Sequence, residues 1–218
     1  MNCKICNSNT NRIERSFRKQ AESRFYRHCP SCDFIFLEDR HLCTPKEELE
    51  RYKQHENSID DPVYVEIFMK FINKAVLAYT KKDGIECLDF GSGPQPVLAE
   101  LLEREFAWSV DIYDKFYATE KVYEGKAYDL ITATEVAEHL DDPLHYFKLF
   151  KKLLRPEGTL SVMTLFHPGK DDFTGWFYIN DPSHIAFYSE KTMETIAAIV
   201  GLNILYCDKD RYVTFSHA

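Results

Sequence analysis

The chain has 218 residues, 27 Lys or Arg against 35 Asp or Glu for a formal net charge of −8, and 44% hydrophobic residues. That length admits one full α/β domain of the usual ~100–200 residues plus a small appendage. The acid excess argues against non-specific nucleic-acid binding by the chain as a whole, and no apolar run approaches the ~20 residues of a membrane-spanning helix.

The N-terminus, MNCKICNSNTNR, has no apolar core like that of a signal peptide, which predicts a cytoplasmic protein with reduced cysteines. Cys3-x-x-Cys6 and Cys29-x-x-Cys32 are separated by 22 residues. Each pair can offer two thiolates from one tight turn, and four such sulfurs make a tetrahedral structural zinc site, predicting a zinc ribbon with short strands over residues 1–43. His28 and His41 would replace a ligand only if a cysteine pointed away. Cys43, Cys87 and Cys207 read as small buried residues. Residues 1–32 hold Lys4, Arg12, Arg15, Arg18, Lys19, Arg24 and Arg27 against Glu14 and Glu22, a formal +5 that leaves −13 for the remainder. A basic appendage on an acidic body docks an anionic substrate or the body itself.

Residues 44–80 read as a helical cover. Thr44-Pro45-Lys46-Glu47 is a capping box with Pro in the first turn, opening a short charged helix to about His55. Asp60-Asp61-Pro62 starts another, whose apolar face includes Val63, Ile67, Phe71 and Tyr79. Tyr52, His55 and Tyr64 either pack or reach into a substrate pocket.

Residues 81–218 alternate strand and helix. The expected strands are Ile85–Phe90, Trp108–Tyr113, Tyr128–Thr134 and Thr159–Phe166, with helices over Val97–Phe106 and Leu144–Leu154. This alternation predicts a Rossmann-like, mostly parallel α/β sheet with ligands at the carboxyl ends of its strands. Its first turn, Asp89-Phe90-Gly91-Ser92-Gly93, lets the backbone approach a ligand closely, ahead of a helix N-terminus that favours electronegative atoms. Asp114 ends the second strand 25 residues after Asp89, where an acid takes the hydroxyls of a ribose. Thirteen residues separate Asp114 from Tyr128, so a third strand, near Lys121–Tyr123, is expected to be rudimentary, and Glu120 or Glu124 are only guesses for an adenine contact. Arg155–Gly158 reads as a turn. The irregular stretch with Pro168, Gly175, Trp176 and Phe177 has the size of a lid or binding loop. Ser189 caps a last helix closed by Gly201, and Leu202–Cys207 with Arg211–Phe215 form an antiparallel hairpin.

Taken together, LDFGSG, Asp114, YDLITATEVAEHLDDP, LLRPEGTLSV and HIAFYSEKTM resemble class I S-adenosylmethionine methyltransferases over residues 84–216. The resemblance implies an antiparallel last strand, S-adenosylmethionine as cofactor, Gly91 and Gly93 along its methionine part, Asp114 on its ribose, and Glu135 beside the sulfonium. Gln95 stands where many members have a third glycine.

Glu135, Glu138 and His139 follow the fourth strand at spacings that share one face if the segment turns helically. Two carboxylates and an imidazole so placed repel and lose solvation unless a proton, a partner or a cation joins them. Glu-x-x-Glu-His here is similar to the motif of small-RNA 3′-terminal 2′-O-methyltransferases and of ubiquinone-pathway O-methyltransferases, where it holds a metal. In the RNA group a further His follows the fifth strand, where His184 stands. Glu135, Glu138, His139 and His184 are therefore the candidate catalytic set and the candidate ligands of a second divalent metal, Mg²⁺, Mn²⁺ or Zn²⁺. Alternatively the acids cap a helix or bond the cofactor, and His139 or His184 is a general base.

The expected function is O-methylation of a small-molecule or sugar-like acceptor. RNA ribose methylation, C-methylation of a nucleotide-linked sugar, whose enzymes also carry a cysteine-rich zinc module, and non-catalytic S-adenosylmethionine binding are the alternatives. No oligomeric state follows from the sequence.

Overall fold

A computed structural model describes residues 1–16, 23–53, 58–80 and 83–218. His55 and the charges Arg18, Lys19 and Glu22 lie outside the described residues. Six strands form the main sheet: β4 (Glu86–Phe90), β5 (Ser109–Tyr113), β6 (Tyr128–Thr134), β7 (Leu154–Met163), β9 (Leu202–Cys207) and β10 (Tyr212–His217), in the order β5-β4-β6-β7-β10-β9. The first four are mutually parallel, while β10 runs antiparallel to both β7 and β9. This is the expected mostly parallel sheet with its reversed last strand. Among the described residues there is no third strand beyond β5; Asp114 and Ala118 share an isolated bridge instead. The strand at β7 begins earlier than expected and absorbs Arg155–Gly158 as an irregularity, since Tyr128 pairs with Leu154 but Leu130 pairs with Thr159.

The helix α1 (Pro45–Tyr52) has the predicted capping box, Thr44 Oγ1 accepting from Glu47 N–H and Glu47 accepting from Thr44 N–H. In α2 (Pro62–Phe71) Asp61 caps the N–H groups of Val63 and Tyr64, and the helix then widens into a π turn at Ile72–Val76. There the Ala75 carbonyl accepts hydroxyls from Ser161 at 2.8 Å and Thr214 at 2.6 Å, fixing the cover to β7 and β10. The wider turn supplies this purchase, a use to which π-bulges lend themselves. With α3 (Val97–Phe106), this cover packs one face of the sheet through Phe68, Phe71, Leu98, Leu101 and Trp108.

On the opposite face α4 (Pro143–Leu153) and α5 (Glu190–Val200) pack through Phe147, Phe150, Met193 and Ile196. Each fully buried phenyl contributes about 1.5–3 kcal/mol. Cys3, Cys29, Cys32, Phe34 and Phe36 join this same core, with Phe34 5.3 Å from the ring of Tyr188.

The N-terminal strands β1 (Asn11–Arg15), β2 (Arg24–His28) and β3 (Ile35–Leu37) form an antiparallel sheet whose fourth strand comes from the body: β8 (Ala186–Phe187) pairs with β3. Ile13, Tyr26, Ile35 and Leu37 bury their side chains against Phe173, Ile179 and Phe187. The ribbon is thus continuous with the loop between β7 and α5.

Candidate active site

The turn after β4 brings its glycines to the carboxyl end of the sheet. Gly91 has φ 85°, and a Cβ there would meet Val136 Cγ2 at 2.2 Å, so the close packing of the two turns requires glycine. Gly93 has φ 69°, with nothing within 4 Å of the place a Cβ would take, so its backbone faces open space. A cavity of about 740 Å³ lies there, lined among others by Asp89, Gly91, Ser92, Gly93, Gln95 and Asp114. That falls within the ~300–1,000 Å³ of small-molecule sites. Asp114 is oriented by main-chain N–H groups: Gly93 donates to Oδ2 at 3.1 Å, and Phe116 and Tyr117 to Oδ1 at 2.8 and 3.1 Å. Ser92 Oγ is buried without a hydrogen-bond partner, and the first turn of α3 has no side-chain cap. Unused hydroxyl and N–H groups, an acid at a strand end and a backbone clear of side chains fit S-adenosylmethionine.

Asp89 is nearly inaccessible and accepts from Thr132 Oγ1 at 2.9 Å. Burial pushes its carboxyl up to about 7, despite the Thr132 bond, with Asp114 adding to the rise. The bond ties the end of β4 to β6. Glu120 and Glu124, the guesses for an adenine contact, are not among the cavity's walls, whereas Phe116 and Tyr117 are.

The second half of the cavity is built from the turn after β6 and the loop before α5. Glu135 sits at φ 55°, and a single 3₁₀ turn, Ala137–His139, follows it. One ligand-type atom from each of Glu138, His139 and His184 lies within 4.8 Å of the others. Glu135 falls outside that set: the helical face expected of the motif is broken by the left-handed residue at its start. His139 Nδ1 is 2.9 Å from the Ser183 carbonyl and His184 Nδ1 is 2.8 Å from the Tyr178 carbonyl. A carbonyl only accepts, so each Nδ1 carries the hydrogen and each neutral ring keeps its lone pair on Nε2. Burial, with His184 close by, lowers His139 to about 3, and burial lowers His184 as well, so both rings are neutral near pH 7. Glu138 is fully buried behind the wall; its Oε2 makes no hydrogen bond, nor does the hydroxyl of neighbouring Thr164.

Tyr178 joins the two acids. Its hydroxyl lies 2.8 Å from Glu135 Oε2 and also contacts Glu138 Oε1. One hydroxyl hydrogen serves two carboxyls, and desolvation together with the neighbouring Glu138 pushes the Glu135 carboxyl up. Asp181 accepts from Ser183 N–H at 2.9 Å and from Arg51 Nε of α1 at 2.8 Å, shaping the turn that presents His184. Tyr52, 5.2 Å from the His139 ring, and Tyr64 both line the cavity, so the cover reaches the pocket as one of its expected alternatives holds.

Cys3, Cys6, Cys29 and Cys32 converge with all four sulfurs within 4.8 Å. The pairs Cys3–Cys32 and Cys6–Cys29 stand 3.5 and 3.4 Å apart, longer than any disulfide and close to the ~3.8 Å edge that a ~2.3 Å Zn–S bond gives a tetrahedron. Asn7 and Asp33, each just after a Cys-x-x-Cys, adopt φ 59° and 60°, giving two matching turns. His28 bonds Asp33 at 2.9 Å and is not in the sulfur cluster.

Residue choice along the chain missed Tyr178, Thr132, Asp181 and Arg51. Tyr178 directly follows the Trp176-Phe177 pair that marked the loop; the others carried no local signal.

The sequence profile of the methyltransferase-domain family Methyltransf_23 matches residues 64–206, well over half of the chain. No curated protein matches by sequence. Among solved structures, an O-methyltransferase family protein from Burkholderia thailandensis superposes with a TM-score of 0.54 at 14% identity, covering 73% of this chain and 58% of that one. Coclaurine N-methyltransferase, bound to N-methylheliamine and S-adenosylhomocysteine, gives 0.50 at 12% identity over 70% of this chain and 53% of its own. The chain thus spans little more than half the length of these two proteins, and the likeness to them is one of fold. The profile match decides the family: the chain belongs to the methyltransferase-domain family.

Proposed function

We propose that the chain methylates a hydroxyl of a small acceptor held at a divalent cation on Glu138, His139 and His184, and that a structural zinc joins Cys3, Cys6, Cys29 and Cys32. The observation that carries the reading is the pair of neutral imidazoles on the cavity wall, each with Nδ1–H committed to a main-chain carbonyl, clustered with the Glu138 carboxyl buried just behind them. Histidines that ligate metals characteristically donate their other ring N–H in this way. S-adenosylmethionine supplies an electrophilic methyl group, and a divalent cation supplies the Lewis acidity that lowers a hydroxyl's pKa.

The chain's own residues contribute orientation. Gly91, Ser92, Gly93 and Asp114 hold the cofactor, and Glu135 stands at the junction with the acceptor half. Methyl transfer needs in-line alignment, which fixed walls on both halves of one cavity provide. Without a cation, the same geometry leaves an Nε2 lone pair to accept the hydroxyl's proton, so His139 and His184 remain the residues for that role.

A small acceptor is favoured over RNA because the ribbon's described cations are largely engaged. Arg12, Arg27 and Arg40 converge on Glu38, Lys4 pairs with Asp39, and Arg15 bonds the Ile179 carbonyl and Asn180. The appendage docks on itself and on the body. N-methyl acceptors are represented among the fold neighbours, but a cation site suits a hydroxyl better than an amine. The test is methyl transfer from labelled S-adenosylmethionine into a cell extract fractionated into RNA, protein and small molecules. Label in the small-molecule fraction, lost on chelation and restored by Mn²⁺, is expected. Label in RNA overturns the small acceptor; chelator-insensitive transfer that survives Glu138→Gln overturns the cation.

A further inference from the structure

Tyr178 touches two members of the cluster by three separate means. Its hydroxyl contacts Glu138 Oε1, its main-chain carbonyl accepts His184 Nδ1–H at 2.8 Å, and its ring centroid lies 4.1 Å from that of His184. The hydroxyl also reaches Glu135 Oε2 at 2.8 Å, so one side chain spans the cofactor-side acid and the ligand-side acid. Glu138 Oε1 is thereby occupied, while Oε2 has no hydrogen bond from the protein. The third member, His139, is oriented from the same loop through the Ser183 carbonyl.

We propose that Tyr178 is the positioning residue of the cation site: it holds the Glu138 carboxyl through Oε1 and sets the tautomer and plane of His184. The inference rests on the cation reading above and goes beyond it by assigning the cluster's geometry to a loop tyrosine that is not itself a ligand. Tyr178 comes 40 residues after Glu138 and six before His184, so neither the Glu-x-x-Glu-His spacing nor the histidine predicts it. The loop that carries it is fixed at its back by the ribbon, through Arg15 to the Ile179 carbonyl at 3.0 Å and to Asn180 Oδ1 at 2.7 Å. The tyrosine ring therefore has a rigid base, as a positioning group requires.

The experiment is Mn²⁺ titration of the full chain with its zinc retained, free Mn²⁺ being read by electron paramagnetic resonance. Mn²⁺ is chosen because a hard cation prefers carboxylate and imidazole to the thiolate cluster. Tyr178→Phe keeps the ring and the carbonyl and removes only the hydroxyl. Loss of such an outer partner lowers metal affinity by about 10–100-fold. Phe177→Ala, a change at an adjacent side chain that is 67% exposed, is expected to leave the affinity unchanged. Near-UV circular dichroism confirms that each variant is folded. Equal Mn²⁺ affinity in Tyr178→Phe and the wild type overturns the positioning role while leaving the cation site standing. An equal loss in Phe177→Ala also overturns it, since the loop as a whole would then be responsible. Absence of Mn²⁺ binding by the wild-type chain overturns the cation reading itself.

Discussion

Asp89→Asn is expected to change the pH dependence of stability by a predictable amount. Burial raises the Asp89 carboxyl from its ordinary 3.8 to about 7. Between these values the folded chain holds a proton that the unfolded chain has released, so stability falls as pH rises. The contribution is fully present below about pH 4 and is lost as pH passes 7. One pH unit corresponds to about 1.4 kcal/mol at full slope, and the slope has halved by pH 7, so this group removes roughly 2 kcal/mol between pH 5 and 7. Asparagine is never ionised and keeps an oxygen for the Thr132 hydroxyl, which now bonds Asp89 Oδ1 at 2.9 Å. Urea unfolding at pH 5, 6, 7 and 8 should therefore show Asp89→Asn gaining on the wild type by about 2 kcal/mol across the first two units. Glu135, also pushed up, titrates in both proteins and cancels in the difference. Parallel stability curves would refute the argument, showing either that Asp89 is solvated in solution or that Thr132 holds it ionised.

Two other perturbations follow from the same geometry. Asp114→Ala should weaken S-adenosylhomocysteine binding about 10–100-fold by calorimetry, the net loss of one hydrogen bond to a charged group at about 1.5–3 kcal/mol; unchanged affinity would remove Asp114 from the cofactor site. Cys29→Ser should release about one zinc per chain, as expected for loss of one ligand of a four-sulfur site, and accelerate amide exchange at Ile185. The Ile185 N–H donates to the Glu138 carbonyl at 2.8 Å while its own carbonyl accepts from Leu37 N–H of the ribbon at 2.8 Å, so loss of zinc with protection at Ile185 intact would uncouple ribbon and site.

How much was legible in the sequence depended on the range of the interaction. The two Cys-x-x-Cys turns, the Asp89–Gly93 turn and the caps at Thr44 and Ser189 each act over a few residues, and each forms as expected. The strand and helix alternation read from apolar periodicity gave the main sheet, and the short interval after Asp114 signalled a weakened third strand; in the structure none forms among the described residues. The helical face expected at Glu135, Glu138 and His139 did not form as a unit. Spacing predicts a common face only while the backbone stays right-handed, and Glu135 does not. Its carboxyl is drawn instead to a tyrosine 43 residues away.

The sequence by itself determined the glycine-turn half of the cavity, because the turn and the helix start are consecutive and Asp114 directly follows the next strand, whose register the apolar periodicity carries. Only the tertiary structure decided the half that holds Glu138, His139 and His184. His184 meets Glu138 and His139 because the β7–α5 loop is held on one side by β3 of the ribbon and on the other by Arg51 of α1. Those contacts join residues more than a hundred positions apart, and no local pattern encodes the packing of a distant strand that brings them together.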